Sequence, residues 1–299
     1  MIHVIYNAQA RGGRVRRIRS EIRQALDTQF GSEGYRWVET TSEANGIDVA
    51  AAAAGGDTVV AVGGDGSVHT VVEGLWRSDF RATLGIIPAG TGNDFAFGMG
   101  LPTSITDAVQ VLGGGSGRMV DVGEISLDGR APLPFVNAVG IGFDAAASVR
   151  SRRRKFLPGV LRYLVSTLET LVTWKAPQGE VTGQAFAWQG PLMFVTVGNG
   201  PRSGGGFMIT PDADPSDGQL QACVVRELSI ISAVRVIPSV MRGEHGTLPQ
   251  VELRQGTSFR VALDRNVPVH ADGEIVSTAS RTMDLAVRAG VMNVLVPSP

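Results

Sequence analysis

The apolar positions in the first third of the chain alternate between two periods. "HVIYN", "YRWVET", "TVVAV" and "TLGIIPA" are short apolar runs of strand type. Between them, Ile18, Ile22, Ala25, Leu26 and Phe30 recur at helical spacing. "SEANGIDVAAAAA" reads as a second helix with Ser42 as its N-cap, and Val68, Val71, Val72 and Leu75 share one face of a third, "SVHTVVEGL". Gly46 counts against the second helix, because glycine costs about 1 kcal/mol relative to alanine in a helix interior. Strands alternating with helices predict an α/β domain with a mostly parallel sheet covered on both faces. Such sheets bind ligands beyond the carboxyl ends of their strands, and the Gly- and Asn-rich loops of this region fall there.

Beyond about residue 120 the pattern changes. "MVDVGEISL", "PLPFVNAVGIGF", "EVTGQAFAWQG", "PLMFVTVGNG", "LQACVVREL", "VELRQGTSFRVAL", "VPVHADGEI" and "TMDLAVRAGVMNVLVP" are strand-like runs divided by turn residues. Many short strands with sparse helix predict a β-sandwich or barrel-like second domain. One helical interruption stands out, "RSRRRKFLPGVLRYLVSTLETLV", in which five of the six residues 150–155 are basic. Val160, Leu161, Leu164, Val165, Leu168, Leu171 and Val172 then form an apolar stripe. The stripe suits either a core-facing helix or, with its basic entry, an amphipathic segment touching an anionic membrane surface.

Composition narrows the choice. The chain has 299 residues, 43% of them hydrophobic, and a formal net charge of −1. That is ample for a sizeable core and argues against a dedicated nucleic-acid binder. Cys223 is the single cysteine, so neither an intrachain disulfide nor a cysteine metal cluster is available. The start "MIHVIYN" does not read as a signal peptide, and no apolar stretch is long enough to span a bilayer, which makes a soluble, intracellular protein the expectation.

Two loops carry candidate chemistry. In "GGDGS", Gly63, Gly64, Asp65, Gly66 and Ser67 follow a strand and open a helix, so their backbone amides can cradle an anion. A tight strand–helix turn needs the same glycines. No Gly-Lys pair exists, which excludes a Walker A loop. A carboxylate at Asp65 would repel phosphate unless a divalent cation lies between them. The second loop, "PAGTGND", offers Gly90, the hydroxyl of Thr91, and Asn93 and Asp94, which suit a helix cap equally well. Later, "HADGEIV" places Asp272 and Glu274 two residues apart at a strand or turn. "PDADPSDGQL" gathers Asp212, Asp214 and Asp217 in an oxygen-rich loop that is either a hard-cation site or a solvated acidic turn. The four histidines lack metal-ligand spacing, and no GxSxG elbow is present.

"GGDGS" followed by "PAGTGND" resembles the diacylglycerol kinase catalytic-domain family, lipid kinases that include sphingosine kinases and bacterial relatives. "NAVGIGFDA", "NGPRSGGGFMITPDADPSDGQL" and "ADGE" resemble further family blocks in the expected order. The resemblance implies a nucleotide-binding α/β domain over 1–122 and about 283–299, a β-sandwich lipid-binding domain over 123–282, and an active site in the cleft between them. It implies ATP and Mg²⁺ as cofactors, with the nucleotide held by Asn7, Gly12, Gly13, Thr40, Gly63, Gly64, Asp65, Gly66, Ser67, Thr70, Gly90, Thr91, Asn93 and Asp94. Glu274 is then the general base, with Asp65 and Asp272 as its catalytic partners, and Asp214, Asp217 and Gln219 hold a metal ion. Where the family usually has Asn-Pro-x-Ser-Gly this chain reads Asn7-Ala8-Gln9-Ala10-Arg11-Gly12, and Thr70 stands where many members have glutamate. The implied activity is transfer of the γ-phosphate of ATP to a hydroxyl of a lipid such as diacylglycerol. The expected setting is cytoplasmic, peripheral to the inner face of the membrane, with transient membrane contact through 150–172 and a homodimer left open. The alternatives are a soluble-substrate kinase of NAD kinase type and a degenerate nucleotide- or lipid-binding regulatory domain.

Overall fold

The computed structural model describes residues 1–7, 18–153 and 159–298. They form two compact units, Met1–Val122 with Arg288–Pro299, and Gly123–Val287. In the first, strands β1 (Ile2–Asn7), β2 (Arg36–Thr40), β3 (Thr58–Gly63) and β4 (Thr83–Pro88) alternate with helices α1 (Arg19–Phe30), α2 (Glu43–Ala51) and α3 (Asp65–Arg77). Helices α4 (Asp94–Gly98) and α5 (Ile105–Gly114) follow, then β5 (Ser116–Leu127). The sheet order is β2-β1-β3-β4, with the last stretch of the long strand β13 (Glu274–Val296) beside β4. The pairs β1–β2, β1–β3, β3–β4 and β4–β13 are parallel. Over the chain as a whole antiparallel pairing prevails, so the expected parallel arrangement describes these pairs alone.

Alternation along the strands decides which side each helix covers. Val4 and Tyr6 of β1, and Val60 and Val62 of β3, pack against Ile22 and Leu26 of α1 and Val109 and Leu112 of α5. Burying each such aliphatic side chain is worth roughly 1.5–3 kcal/mol. Ile5 points the other way, toward α2 at Gly46. The misgiving about Gly46 is answered there, because a Cβ on it would meet Thr70 Cγ2 at 2.8 Å. Gly74 of α3 is tighter still: a Cβ would lie 2.4 Å from the Ile47 carbonyl oxygen and 2.5 Å from Ala50 Cβ. Both glycines give up helix propensity and allow α2 and α3 to approach closely. Ser42 caps α2 as expected, accepting from the Asn45 amide at 3.3 Å.

The second unit holds β6 (Leu133–Phe135), β7 (Ala138–Gly142), β8 (Gln178–Gly183), β9 (Phe186–Gly198), β10 (Leu220–Arg226), β11 (Val251–Gly256), β12 (Ser258–Ala271) and the start of β13. Strand β8 pairs with the early parts of β9 and β12, and β7 pairs with their ends. These two long strands are thus shared at both ends and enclose a core that includes Val181, Leu192, Val195, Val261 and Val269.

The expectation of a single helical interruption needs correction. Besides α6 (Phe143–Arg153) and α7 (Gly159–Thr173) there is α8 (Ile230–Arg242). Its β-branched run and internal Pro238 hide it in the sequence, but Ser229 caps its start and Gly243 ends it in the left-handed conformation. The apolar stripe of α7 is divided: Leu171 packs on the cluster around Phe143 and Met193, while Leu168 and Val172 are 46% and 72% exposed. The side chains of Val160, Leu161 and Leu164 lie outside the described residues.

Two outcomes test this packing. Gly74→Ala should lower stability by about 1–3 kcal/mol despite its better helix propensity, measured by denaturant unfolding, because backbone lies in the way. An unchanged or raised midpoint would contradict the helix contact. His245 is buried, with Nε2 at 3.0 Å from the Ile209 carbonyl oxygen, and burial holds its pKa below the ordinary value. The unfolded chain therefore binds the proton first, and stability should fall as pH drops below about 6.5. His245→Gln should remove part of that fall in thermal melts.

Candidate active site

The parallel register of the first unit lines up the strand ends. Asn7 lies opposite Thr40, Tyr6 opposite Val62, and Gly63 opposite Pro88. Thr40 is buried, and its hydroxyl donates to the Tyr6 carbonyl at 3.5 Å. One carboxyl edge therefore collects Asn7, Thr40 and both glycine turns, residues scattered over some ninety positions of sequence. Gly12 and Gly13, expected beside them, lie outside the described residues, as do Ala8 and Ala10.

The two turns interlock. The Ala89 amide donates to the Gly63 carbonyl at 2.8 Å. A Cβ on Gly90 would lie 2.3 Å from Gly64 Cα, so only glycine permits the approach. Gly63 has φ +148°, and a Cβ there would meet Ser67 Oγ at 2.1 Å. Asn93 adopts the left-handed conformation with φ 52°. Its Oδ1 accepts from the Gly90 amide at 2.9 Å and its Nδ2 donates to the Gly90 carbonyl at 3.2 Å. Asn93 thus folds the second turn on itself, and its side chain does not cap α4 as the sequence suggested.

The cap on α4 comes from Asp65, whose Oδ1 accepts from the Phe95 amide at 3.2 Å. Asp65 is itself the first residue of α3, so it heads a helix where the sequence placed it mid-loop. Its pKa is raised, first by burial and then by the neighbouring charge of Asp94, which the Phe95 and Asp94 amides oppose. Gly66 and Thr91 are exposed on the rim, and Thr70 donates to the Gly66 carbonyl at 2.9 Å. At the start of α3 the Ser67 and Val68 amides donate to the Gly64 carbonyl at 2.9 and 3.1 Å, and the positive end of the helix is of the kind that favours an anion. Asp65 and Asp94, whose charges repel, bring two hard carboxylate ligands to this edge, the oxygen chemistry that a divalent cation takes.

The second unit carries the other candidates. Ala271, Asp272, Gly273 and Glu274 form a tight hairpin turn between β12 and β13, with Asp272 at φ 50° and Gly273 at φ 85°. Those positive angles are those of a type I′ turn, which an Asp-Gly pair suits. The Asp272 carboxylate is engaged with backbone: Oδ2 accepts from Val136 N at 3.0 Å, and Oδ1 accepts from Asn137 N at 2.8 Å and Ala138 N at 3.1 Å. It anchors the hairpin tip. Glu274 follows the turn, paired across it with Ala271. In the acidic loop, Asp214 accepts from Ser216 N at 3.0 Å and Asp217 from Gln219 N at 2.9 Å, two successive Asx turns. Among the described residues, no three His, Cys, Asp or Glu side chains converge as a metal cage. Sequence reasoning passed over a part-buried pair, Asp144 and His270, at 3.1 Å. Its one sequence signal was the run of glycines in "VGIGFD".

A model described as the diacylglycerol kinase catalytic domain matches residues 1–125, and one described as the YegS C-terminal NAD kinase beta sandwich-like domain matches 137–296. A protein of Pseudomonas savastanoi pv. phaseolicola named "Probable lipid kinase YegS-like" is 34% identical over 226 residues, covering 72% of this chain and 70% of its own. A protein of Mycobacterium tuberculosis named "Diacylglycerol kinase" is 32% identical over 234 residues, covering 78% and 75%. A solved structure titled a diacylglycerol kinase from Bacillus anthracis str. Sterne superposes with TM-score 0.72 over 99% of this chain and 96% of that one. At 21% identity, that last likeness speaks for the fold alone.

The charge on Asp65 yields a test. A raised carboxyl pKa means the fold favours the neutral acid, so ionisation near neutral pH costs stability. Asp65→Asn keeps the acceptor for Phe95 and removes the repulsion from Asp94. Its thermal midpoint at pH 7 should exceed the parent's by about 2–4 °C, and the two should converge as pH falls through the raised pKa. A lower midpoint at neutral pH would show that the ionised carboxylate stabilises the fold.

Proposed function

This chain belongs to the family of diacylglycerol kinases and YegS-like lipid kinases, and from that membership we propose that it transfers the γ-phosphate of ATP to a hydroxyl of an acyl-chain lipid such as diacylglycerol. The first unit would hold the nucleotide, and the second the lipid. The observation that supports this most is the interlocked pair of glycine turns at the carboxyl edge, where Gly64 and Gly90 touch and Asp65 spans to α4. Phosphoryl transfer depends mainly on alignment and charge neutralisation, which backbone amides and a cation held by Asp65 and Asp94 would supply without a loop lysine.

In this reading Asn7, Thr40, Ser67, Thr70 and Thr91 line the nucleotide loop together with the glycines at 12, 13, 63, 64, 66 and 90. Asn93 keeps the second turn in shape. Glu274 accepts the proton of the acceptor hydroxyl as its oxygen bonds to the γ-phosphorus and the bond to the β-phosphate oxygen breaks, leaving ADP. Asp272 holds the turn that carries Glu274. Asp214, Asp217 and Gln219 would hold a separate magnesium ion through carboxylate and carbonyl oxygens, ordering their loop rather than joining the chemistry. The exposed Leu168 and Val172 support contact of α7 with a membrane surface, from which the lipid would be taken. No described helix is long and apolar enough to cross a membrane.

A soluble acceptor is the second reading, favoured by the NAD kinase beta sandwich-like description of the matched C-terminal model. Radiolabelled ATP offered with diacylglycerol, a panel of other lipid alcohols and NAD distinguishes the two. The expected result is a labelled lipid phosphate, no labelled NADP, and loss of turnover by about 10²–10⁴-fold in Glu274→Gln. Label on NAD alone would replace the lipid by a soluble acceptor, and full turnover in the variant would remove Glu274 from the reaction.

A further inference from the structure

The hairpin carrying Glu274 is only partly held in place by its own ladder. Strands β12 and β13 lose register between Ala262 and Val267, again between Val267 and Val269, and again between Val269 and His270. Regular pairing resumes only at His270 with Ile275 and Ala271 with Glu274. Such irregularities bend a strand and uncouple what lies beyond them. The tip therefore depends on anchors outside the β12–β13 pair. One is Asp272 on the amides of Val136, Asn137 and Ala138. Others are the backbone ladder of Val269, His270 and Ala271 on Ile141, Gly140 and Val139 of β7, and the His270 side chain, whose Nε2 lies 3.1 Å from Asp144 Oδ2.

Asp144 is well placed to act as a fixed post. It stands in the first turn of α6, where its Oδ1 accepts from the Ala145 amide at 2.7 Å and the positive end of the helix favours its charge. The preceding Phe143 sets α6 on the sheet through the apolar cluster with Met193, Cys223 and Val225, and its ring meets Trp174 edge-on. The contact with His270 crosses β7 at Gly140, the direct cross-strand partner of His270. A Cβ on Gly140 would lie 2.1 Å from Asp144 Oδ2 and 2.3 Å from His270 Nε2. Strand β7 thus carries a gap through which the carboxylate and the imidazole meet. The pair is largely shielded, with side-chain exposures of 18% for Asp144 and 8% for His270. Burying such a pair costs desolvation that an apolar contact would avoid, so stability alone does not account for it.

We infer that Asp144 and His270 are positioning residues for Glu274: together they fix the β12–β13 tip against α6, and so set where the carboxylate meets the acceptor hydroxyl. This rests on the reading of Glu274 as proton acceptor given above. Displacement of a reacting group by an ångström costs up to about a hundredfold in rate, so a lost anchor should appear in kcat.

The test is a double-mutant cycle in the full chain, with steady-state kinetics on ATP and diacylglycerol beside thermal melts. Asp144→Ala and His270→Ala should each lower kcat by about tenfold with the KM for ATP unchanged. The double variant should be no slower than the slower single. His270→Gln presents a side-chain amide donor near the position of Nε2 and should return kcat to within about threefold of the parent. Losses that multiply in the double variant, a changed KM for ATP with unaltered kcat, or a folded His270→Gln as slow as His270→Ala would overturn the inference. Glu274→Gln run in parallel separates the two readings. Full turnover there refutes the general base itself, whereas a dead Glu274→Gln beside an unimpaired His270→Ala refutes the anchor alone.

Discussion

The first unit is organised around a single steric permission. Gly64 and Gly90 lie so close that a methyl on the second would fall 2.3 Å from the α-carbon of the first. That contact lets two strand ends bend into one another, sets the start of α3 beside the start of α4, and allows the Asp65 carboxylate to span the junction. Any side chain at Gly90 would force the turns apart and with them the amides at the start of α3. The parallel register does the remaining alignment, because strands paired in parallel end at the same edge.

Asp65 is where folding and the proposed function pull in opposite directions. Burial and the nearby Asp94 disfavour its charge, and the amides of α4 recover only part of that cost. An apolar or amide side chain would suit the bare fold better. A carboxylate kept there at some loss of stability agrees with a site organised around a cation and phosphates. The same tension recurs in the second unit, where Asp144 and His270 occupy space that hydrophobic residues would fill at less cost.

Glycine has a different use at each of the positions that matter. At Gly63 and Gly273 it supplies a positive φ. At Gly74, Gly90 and Gly140 it removes a side chain from a point where two other groups meet. Gly140 is the clearest example: strand period and burial leave it an ordinary strand residue, and only the Asp144–His270 contact passing over it explains why nothing larger fits.

How far such features could be read in advance depended on their range. Period and turn chemistry revealed β1 to β4, α1 to α3 and the Ser42 cap, because those signals are local and each helix buries one stripe. The motif spacing marked both glycine turns. Helix α8 escaped because valine, isoleucine and an internal proline argue locally against a helix that capping and packing sustain. Asn93 was misjudged for a similar reason: a capping residue type stands before a helix, yet a partner thirty positions away in sequence supplies the cap. The long β13, the broken register before His270 and the pairing of Asp144 across Gly140 join residues far apart in sequence. No window of neighbouring residues contains those partners. Contacts of that kind are chosen when whole elements pack, which is why residue types and spacings named the chemistry while the folded chain alone decided which side chains hold it in place.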